Sequence, residues 1–376
     1  MRDLTEIREE IDGIDSEIVR LYEKRMKLAS DVAEYKISTG KQVFDKARED
    51  SKLNTLEGQA GSDFTKNGIR ELFEQIMSMS RKKQYQLLTE HGIVEQPEFS
   101  EVEKLDYTGA RIVFQGVEGA YSQQAMMAFF GEQCDGYHVE TWRDAMEAIK
   151  NKEADYAVLP IENSTAGIVS ENYDLLVEYD NYIVGEQILK IEHALLALPG
   201  TELSDITCVY SHPQSLMQCS NYLQEHRQFE TISVNNNAIA TKKVRDDGKK
   251  NQAAIAGAIT ADIYGLQVME SAIQNNKNNS TRFIIVTGKK LYRKESDRIS
   301  ICFEIPHESG SLYHMLSHFI YNGINMTNIQ SRPIPGRNWE YRFFVDFEGR
   351  FTDTAVVNAL RGLAEETISL KILGTY

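Results

Sequence analysis

Residues 4–36 read LTEIREEIDGIDSEIVRLYEKRMKLASDVAEYK, a pattern that predicts one long amphipathic helix. The apolar side chains recur at alternating steps of three and four residues, which is the spacing of a heptad seam. The seam consists of Leu4, Ile7, Ile11, Ile14, Ile18 and Leu21. Farther along, the same face carries Arg25 and Lys36, and Arg8 lies at its edge. Because a buried cation requires a buried anion, either acidic side chains or an anionic ligand must meet these cations.

The first predicted domain covers residues 1–90 and has a helical pattern throughout. Its first helix is expected to end at Thr39-Gly40, a second helix starts near Asp45, and a third begins near Lys66 and ends near Leu88. A segment of this size offers little core to a long helix that is apolar on one face. We therefore expect it to pair with a second copy, as a homodimer or a dimer of dimers.

The second and third helices also carry polar groups that are grouped on one face. Asp45, Arg48 and Glu49 are spaced i, i+3 and i+4, which places them on one side of the second helix. Ser80 and Gln84 interrupt the apolar stripe of the third helix. Because arginine suits a two-point grip on carboxylates, the set predicts a site for an anionic ligand. The alternative is a group of internal salt bridges and solvated helix ends.

Composition excludes several functions. The chain has 376 residues, 41 of them basic and 56 acidic, and its formal net charge of −15 argues against binding of nucleic acid or an anionic membrane. It shows no signal-like or bilayer-length apolar run, and its four cysteines are scattered, so we expect a cytoplasmic protein with reduced thiols. No zinc pattern, phosphate-binding loop or dinucleotide fingerprint occurs, so neither a metal nor an organic cofactor is predicted.

The middle of the chain changes from helices to short strands that alternate with helices. Residues 91–108 are polar, contain Pro97 and predict a linker, whereas residues 109–289 predict a parallel α/β domain. The strand-like stretch Tyr182–Leu198 is long enough to cross between two lobes. The predicted strands are Arg111–Gln115, Ala154–Leu159, Thr207–Tyr210, Gln252–Ala256 and Phe283–Thr287, with helical patterns at Trp142–Asn151 and Pro213–Glu225.

Polar stretches near the ends of these strands predict a binding cleft. They are residues 116–122 (GVEGAYS), 160–164 (PIENS), 210–214 (YSHPQ) with Gln218 beyond them, 265–268 (GLQV) and 279–283 (NSTRF). Strand ends in an open α/β fold converge, so we expect the stretches to line one cleft. Ser211-His212 leaves a Ser–His hydrolase as an alternative, although adjacent side chains point apart and no activating triad follows.

The C-terminal part, residues 297–376, has the order strand, helix, strand, strand, helix, strand. This order is typical of a ferredoxin-like α+β unit. It carries no titratable cluster suited to catalysis, so a regulatory or dimerising role is expected. His314 and His318 lie four residues apart on one helix, but no third metal ligand is evident beside them.

The helical segment resembles the all-helical chorismate mutases. The residues that match positions in the motifs of that family are Arg8, Arg25, Lys36, Asp45, Arg48, Glu49, Ser80 and Gln84. The resemblance implies that they bind the dicarboxylate chorismate, with Arg25 and Arg48 on its carboxylates. Lys36 and Gln84 would hydrogen-bond the ether oxygen, and Glu49 the ring hydroxyl.

The reaction of that family suits a cationic site without a nucleophile. Chorismate rearranges to prephenate in one pericyclic step, so the site needs to hold a compact conformer and to stabilise negative charge that grows on the ether oxygen. The resemblance also implies an intertwined dimer in which Arg8 reaches in from the partner chain.

The polar stretches of the middle domain together resemble the prephenate dehydratases. Their signatures are the Thr-Arg-Phe, Ser-His-Pro-Gln and Ile-Glu-Asn-Ser runs. The resemblance implies a two-lobed, periplasmic-binding-protein-like domain in which prephenate loses carbon dioxide and water. Thr281 would donate a proton to the departing hydroxyl, and Arg282 would bind or support a carboxylate. The other implied site residues are Asn163, Ser211, Gln218 and Ser122. Val117 stands where the family usually has proline, which should alter loop stiffness more than chemistry.

The C-terminal unit resembles the ACT domains attached to such dehydratases. The residues that match the phenylalanine-binding motifs are Gly310, Leu312, Asn325, Met326, Thr327, Ser331 and Arg332. Ser311 and Gln330 depart from the alanine and glutamate of the family. The resemblance implies feedback inhibition by L-phenylalanine, and the loss of the charge at position 330 bears on the strength of that coupling.

The whole sequence is thus identified as a member of the bifunctional chorismate mutase–prephenate dehydratases, acting without a cofactor. Two alternatives remain at this point. One is a sensor that has lost catalysis, against which the presence of Thr281 and Asn163 speaks. The other is a dehydratase whose helical segment only dimerises, against which Arg25, Lys36 and Gln84 speak.

Overall fold

The computed structural model describes residues 2–93 and 98–376. Met1 and residues 94–97 lie outside the described residues, so the part of the predicted linker that contains Pro97 lies outside them as well. The chain forms two compact units. The first unit is Met1–Glu98 with Ile301–Lys371, and the second unit is Phe99–Ser300 with Ile372–Tyr376. Among the described helices, none is both long and apolar enough to cross a membrane.

Three helices form the N-terminal part of the first unit, namely α1 (Leu4–Thr39), α2 (Lys46–Glu57) and α3 (Asp63–Glu90). α1 ends where the sequence predicts, because Gly40 adopts the left-handed conformation with φ of 66°. Asp45 begins α2 by accepting a hydrogen bond from the Arg48 backbone N–H at 3.0 Å. Ser62 and Thr65 form a capping box, which starts α3 earlier than predicted.

The heptad seam of α1 is exposed in the single chain. Leu4, Ile14 and Ile18 are each more than half exposed, and the buried residues of this helix are Ala29 and Ala33. Both α1 and α2 pack against α3. An apolar stripe of this length on a surface helix marks a site of association. The exposed seam is therefore what the pairing prediction requires, and the pairing itself stays a prediction.

The elements of the second unit follow in chain order. They are β1 (Ser100–Val102), β2 (Arg111–Gln115), α4 (Tyr121–Phe130), β3 (Asp135–Val139), α5 (Trp142–Lys150), β4 (Tyr156–Asn163), β5 (Gly167–Ile168), α6 (Ser170–Glu178), β6 (Tyr182–Lys190), β7 (Ala194–Ala197), β8 (Cys208–Ser211), α7 (Pro213–Gln218), α8 (Ser220–Glu225), β9 (Glu230–Ser233), α9 (Asn237–Asp247), β10 (Gln252–Ala256), α10 (Ile259–Tyr264), β11 (Gln267–Glu270), β12 (Ser280–Thr287) and β13 (Leu291–Arg293). The helix predicted over Pro213–Glu225 is thus interrupted at Cys219.

Two sheets divide the second unit into two lobes. Lobe A contains the strand order β6–β12–β4–β2–β3, and lobe B contains β11–β7–β10–β8–β9. Each lobe has an apolar core of its own. Because β6 and β7 belong to different sheets, the stretch Tyr182–Leu198 crosses between the lobes, as the sequence predicts.

The prediction of a parallel arrangement is wrong for part of each sheet. β2 runs parallel to β3 and β4, and β8 runs parallel to β9 and β10. In contrast, β12 is antiparallel to β4 and β6, and β7 is antiparallel to β10 and β11. The chain leaves lobe A after β6 and returns to it as β12, so these strands enter their sheets in the opposite direction.

Three further differences concern the borders of the predicted elements. β1 lies inside the predicted linker and pairs in parallel with β13, which follows the predicted end of the domain. The last strand of the domain was predicted to begin at Phe283, whereas β12 begins at Ser280, so the whole Thr-Arg-Phe run lies within it. The sequence analysis also does not predict β3, β9 and β11. All four residues of β9 are exposed, so that strand has no buried run by which to recognise it.

A βαββαβ unit completes the chain with β14 (Arg298–Glu304), α11 (Ser311–Tyr321), β15 (Met326–Pro333), β16 (Tyr341–Glu348), α12 (Thr354–Glu366) and β17 (Ser369–Thr375). Its strand order, β15–β16–β14–β17, is ferredoxin-like and agrees with the prediction. Helices α11 and α12 pack against each other, and both contact α3 within the first unit. We refer to these elements as the ferredoxin-like module.

Candidate active sites

The first candidate site lies where α1 faces α3 and the segment before α2. Arg25 donates hydrogen bonds to the Ser80 hydroxyl and to the Ile76 carbonyl oxygen, the latter at 3.2 Å. Lys36 Nζ donates to the Val43 carbonyl oxygen at 2.6 Å. Both cations are half-buried, and burial lowers the pKa of each. α1 therefore presents two partly desolvated cations to one side of the helical bundle.

The acidic residues of this site come from α2 and its N-terminus. Asp45 is occupied in capping α2, and Arg48 is exposed on the first turn of that helix. The Glu49 carboxylate forms an ion pair with Arg81 of α3. The charges of Arg48 and Glu49 act on both Arg25 and Lys36, which places the four groups in one neighbourhood.

Gln84 contributes a buried amide to the same bundle. Its Nε2 donates to the Ser80 carbonyl oxygen at 3.2 Å, one turn earlier in α3. Its Oε1 is buried and has no hydrogen-bond partner among the described residues. A buried acceptor without a partner is costly, so Oε1 is open to a donor from a ligand, and donation to a ligand would use the second Nε2 proton, which Ser80 does not take. Arg8, by contrast, is exposed on α1.

Arg81 is a residue beside this first site that the sequence did not indicate. Its side chain is only 8% exposed and contacts Glu49, Glu366 of α12 and the ring of Phe44. Arg81 lies between buried positions of α3, so helical spacing indicates that it is buried as well. Because a charged residue is rarely buried without a partner, that position would have predicted an acidic contact. That partner lies in the ferredoxin-like module, and no local pattern could indicate it.

The second candidate site is a cleft of about 490 Å³ between lobes A and B of the second unit. Lobe A supplies the end of β4 and the start of β12 together with the start of α4, and lobe B supplies α7 and the start of α9. Of the predicted site residues, the cleft is lined by Ser122, Asn163, Gln218 and Thr281. Other polar residues in its lining include Tyr121, His193, His212, Gln214, Asn236 and Thr260.

Asn163 and Thr281 face each other across the paired strands β4 and β12. Asn163 Nδ2 donates to Thr281 Oγ1 at 2.9 Å and to Asn279 Oδ1 at 2.9 Å. Asn163 Oδ1 accepts from the backbone N–H groups of Thr165 and Ala166, which fixes the orientation of the amide. Since Thr281 Oγ1 accepts from Asn163, its own proton remains available for donation to a ligand in the cleft.

A buried histidine connects the two lobes at the other wall of the cleft. His193 is fully buried, with Nε2 at 2.8 Å from Gln218 Oε1 and Nδ1 at 2.9 Å from the Tyr121 hydroxyl. Burial lowers the pKa of His193, and the hydrogen bond to Gln218 partly opposes this effect. The ring is therefore neutral and donates from Nε2 to Gln218 Oε1, while the Tyr121 hydroxyl, which donates to the Glu192 carbonyl oxygen at 2.9 Å, lies against Nδ1. Sequence reasoning missed His193, although it lies in the predicted crossing stretch.

Two predicted residues do not reach this cleft. Ser211 is fully buried and donates to the Ile255 carbonyl oxygen at 2.6 Å, which fastens β8 to β10. Arg282 follows Thr281 on β12 and therefore points to the opposite face of the sheet. There its Nη1 donates to the Tyr376 hydroxyl at 3.0 Å and lies 3.7 Å from Glu186. Neither side chain lines the cleft, so the predicted roles, positioning of substrate by Ser211 and binding or support of a carboxylate by Arg282, stay predictions, and these contacts favour an indirect role for both.

The predicted regulatory residues lie along two elements of the ferredoxin-like module. Gly310 precedes α11 with φ of 82°, and Leu312 lies in the first turn of that helix. The other predicted residues lie just before or within β15, namely Asn325, Met326, Thr327, Ser331 and Arg332. Gln330 Nε2 donates to Asn328 Oδ1 at 3.1 Å. In the described part of the chain, no group of three His, Cys, Asp or Glu side chains is placed to hold a metal ion.

The helical bundle with its cations and the two-lobed cleft with its buried Thr–Asn pair define an enzyme with two separate sites. The family model for chorismate mutase type II matches residues 7–85, and that for prephenate dehydratase matches residues 112–291. A bifunctional chorismate mutase/prephenate dehydratase of Aquifex aeolicus is 32% identical over 379 residues, which cover 100% of this chain and 98% of that protein. The chain belongs to the family of bifunctional chorismate mutase/prephenate dehydratases.

Solved structures agree with this assignment over the second unit and beyond. The prephenate dehydratase of Arthrobacter aurescens in complex with L-Phe has 30% identity and a TM-score of 0.66, and the match covers 71% of this chain and 89% of that one. A second similar structure, GqqA, is described as a novel type of quorum-quenching acylase. It has 29% identity and a TM-score of 0.64, covering 71% and 97% of the two chains.

Proposed function

We propose that the helical bundle converts chorismate to prephenate and that the cleft converts prephenate to phenylpyruvate, carbon dioxide and water. The observation that carries this proposal is the occurrence of both sites on one chain that matches relatives of that name from end to end. We further propose that the ferredoxin-like module acts as an ACT domain and that L-phenylalanine binding to it inhibits the dehydratase.

In the mutase reaction, the ether C–O bond breaks while a new C–C bond forms, and no group is transferred to the protein. Lys36 and Gln84 donate hydrogen bonds to the ether oxygen as its negative charge grows, and this preferential stabilisation of the transition state accelerates the step. Arg25 and Arg48 hold the carboxylates. The half-buried position of Arg25 and Lys36 strengthens these interactions, because less water screens them.

Arg8 is exposed in the single chain, and this position follows from the exposed seam of α1. We propose that a second copy covers the seam and that Arg8 completes the site of that copy. In a single chain the site is then incomplete, and Arg8 is exposed because the second copy that it would contact is absent.

In the dehydratase reaction, the carboxylate on the ring leaves as carbon dioxide and its bonding electrons complete the aromatic ring. The ring hydroxyl leaves on the other side and takes the Thr281 proton to become water. Asn163 donates to Thr281 Oγ1 and so stabilises the charge that develops on this oxygen. Aromatisation drives the step, which is why a weak acid suffices, and water restores the proton afterwards.

An acylase with a Ser211–His212 nucleophile is the second candidate that the comparisons suggest. The contacts disfavour it. Ser211 Oγ donates to the Ile255 carbonyl oxygen, and His212 Nδ1 accepts from the Gln214 backbone N–H at 3.2 Å. His212 is thereby the N-terminal cap of α7 and is not the base for an adjacent serine.

The test is to give the purified chain chorismate and then prephenate while phenylpyruvate is measured, with and without L-phenylalanine. We expect turnover of both substrates and inhibition of the second step by L-phenylalanine. Product from prephenate alone would mean that the helical segment serves only in assembly. No product from either substrate would leave a non-catalytic sensor, and constant activity up to millimolar L-phenylalanine would exclude the ACT assignment.

A further inference from the structure

A buried chain of ionic contacts connects the mutase site to the ferredoxin-like module within the first unit. Arg81 of α3 lies between two carboxylates, Glu49 of α2 and Glu366 at the end of α12. Arg81 Nε and Nη2 donate to the two oxygens of Glu366 at 2.7 and 2.9 Å, which is a bidentate contact. We call Glu49, Arg81 and Glu366 the Arg81 bridge.

Helix α11 places a histidine against the far end of the Arg81 bridge. His318 Nε2 lies 3.3 Å from Glu366 Oε1, and both side chains are almost completely buried. The His318 ring packs so closely on α12 that a Cβ at Gly362 would lie 2.4 Å from it, so only glycine fits there. Burial opposes the charge on Glu366, yet His318 and Arg81 together lower the pKa of Glu366 to about 2. Glu366 is therefore ionised and fixed at any physiological pH.

The neighbouring glutamate reaches the other half of the same site. Glu365 Oε2 accepts from the Phe44 backbone N–H at 2.9 Å and from the Tyr85 hydroxyl at 3.0 Å. Phe44 directly follows Val43, whose carbonyl oxygen accepts from Lys36. The same segment places the Phe44 ring 4.9 Å from the Arg81 guanidinium. Two adjacent carboxylates of α12 thus contact the groups that hold the mutase site: Glu366 contacts Arg81, which pairs with Glu49, and Glu365 contacts Phe44, which follows the Val43 partner of Lys36.

These contacts are costly unless they are complete. Burying a guanidinium with one carboxylate missing leaves an uncompensated charge, whereas the complete arrangement is satisfied on both sides of Arg81. A single carboxylate would also leave Arg81 free to rotate about Glu49. With Glu366 as a two-point anchor, the Arg81 guanidinium has one orientation, and the Glu49 oxygen that contacts it is fixed as well.

We propose that Glu366 and Glu365 of the ferredoxin-like module are positioning residues of the chorismate mutase, acting through Arg81 on Glu49 and through Phe44 on Lys36. This inference rests on the proposed mutase function of the bundle and adds to it that the bundle site is incomplete without α12. The ferredoxin-like module then supports the geometry of the mutase site whether or not it binds a ligand.

The test uses the full-length chain and measures both activities in each variant. For Glu366→Gln, which keeps the shape and removes the charge, we expect mutase kcat/KM to fall about tenfold. Dehydratase kcat/KM should stay within twofold. The control is Asn358→Ala, which removes a hydrogen bond from Thr89 Oγ1 between the same helices α3 and α12 but does not touch Arg81. This control should leave mutase kcat/KM within twofold.

A double-mutant cycle separates positioning from general support of the fold. If Glu366 acts through Glu49, then adding Glu366→Gln to Glu49→Gln should reduce mutase kcat/KM by less than twofold further. Independent, multiplicative losses would overturn the proposal, as would an equal loss of mutase and dehydratase activity.

A second variant keeps the inference testable if Glu366→Gln does not fold. Arg81→Lys retains the buried positive charge and loses the two-point contact with Glu366. Mutase kinetics like those of the unmodified chain in this variant would overturn the proposal. Absence of chorismate turnover in the unmodified chain would instead contradict the proposed mutase function, so the two failures are distinguishable.

Discussion

Replacing Thr281 by valine tests the proposed proton donor with the smallest change of shape. Valine keeps the branched side chain on β12 and removes only the hydroxyl. Asn163 Nδ2 loses one acceptor but retains Asn279 Oδ1 at 2.9 Å and the Ser280 carbonyl oxygen at 3.2 Å. The loss of one hydrogen bond with the donor still paired costs about 1 kcal/mol of stability. The variant is therefore expected to fold.

The catalytic loss should be much larger than the loss of stability. A positioned general acid contributes roughly 10²- to 10⁴-fold, or about 3–5 kcal/mol of transition-state stabilisation. Because Thr281 transfers its proton only as the hydroxyl leaves, we expect kcat for prephenate to fall by that factor and KM to change little. The assay is the rate of phenylpyruvate formation at saturating prephenate.

The matched control is Thr287→Val at the other end of the same strand. Thr287 is buried on β12 and pairs with Tyr156, outside the lining of the cleft. It should retain dehydratase activity. A folded Thr281→Val variant with kcat reduced less than tenfold would refute the role of Thr281 as proton donor.

Three other predictions concern the remaining residues of the two sites. Gln84→Ala should reduce mutase kcat/KM at least a hundredfold and leave dehydratase turnover intact, measured with each substrate on the same preparation; loss of both activities in a folded chain would contradict two separate sites. Arg282→Gln should lower the free energy of unfolding by roughly 3 kcal/mol with little change in KM for prephenate, because the partners of Arg282 lie behind the cleft. If the variant instead keeps its free energy of unfolding and its KM for prephenate rises strongly, Arg282 binds the substrate directly. His193 is buried with a lowered pKa, so the unfolded chain binds a proton that the folded chain does not, and stability should fall as the pH drops below about 6.5. The melting temperature of the unmodified chain should decline between pH 7.5 and 5, and that of the His193→Gln variant should decline less. An equal decline in the two proteins would contradict this prediction.

The sequence predicted those features that depend on local periodicity. Gly40 ends α1 because only a left-handed residue fits there, and the crossing stretch Tyr182–Leu198 is readable as two consecutive buried strands. The strand directions were not predictable in the same way. An antiparallel β12 follows from where the chain returns after lobe B, and no residue of β12 itself encodes that.

The same contrast between local patterns and distant contacts holds for the residues of the candidate sites. Thr281 and Asn163 lie in short motifs, so the sequence could indicate them as lining the cleft, whereas it did not indicate Arg81 and His193 because their partners are distant in sequence. The direction of the Arg282 side chain could not be predicted from its motif, because a motif does not say which of two adjacent strand residues faces a cleft. Only the pairing of β12 with both neighbours determines that side.

The two crossings between the lobes make residues 194–270 a continuous insertion into lobe A, carried on the segments after β6 and before β12. His193 lies on the first of these segments, and Thr281 lies at the start of β12, directly after the second, so both are next to the hinge about which lobe B would swing. Gln218 and the start of α7 travel with lobe B. Opening the hinge by a few degrees would separate the proton donor from the groups that orient the substrate, and closing it would expel water from around both. A ligand that contacts both lobes would favour the closed arrangement.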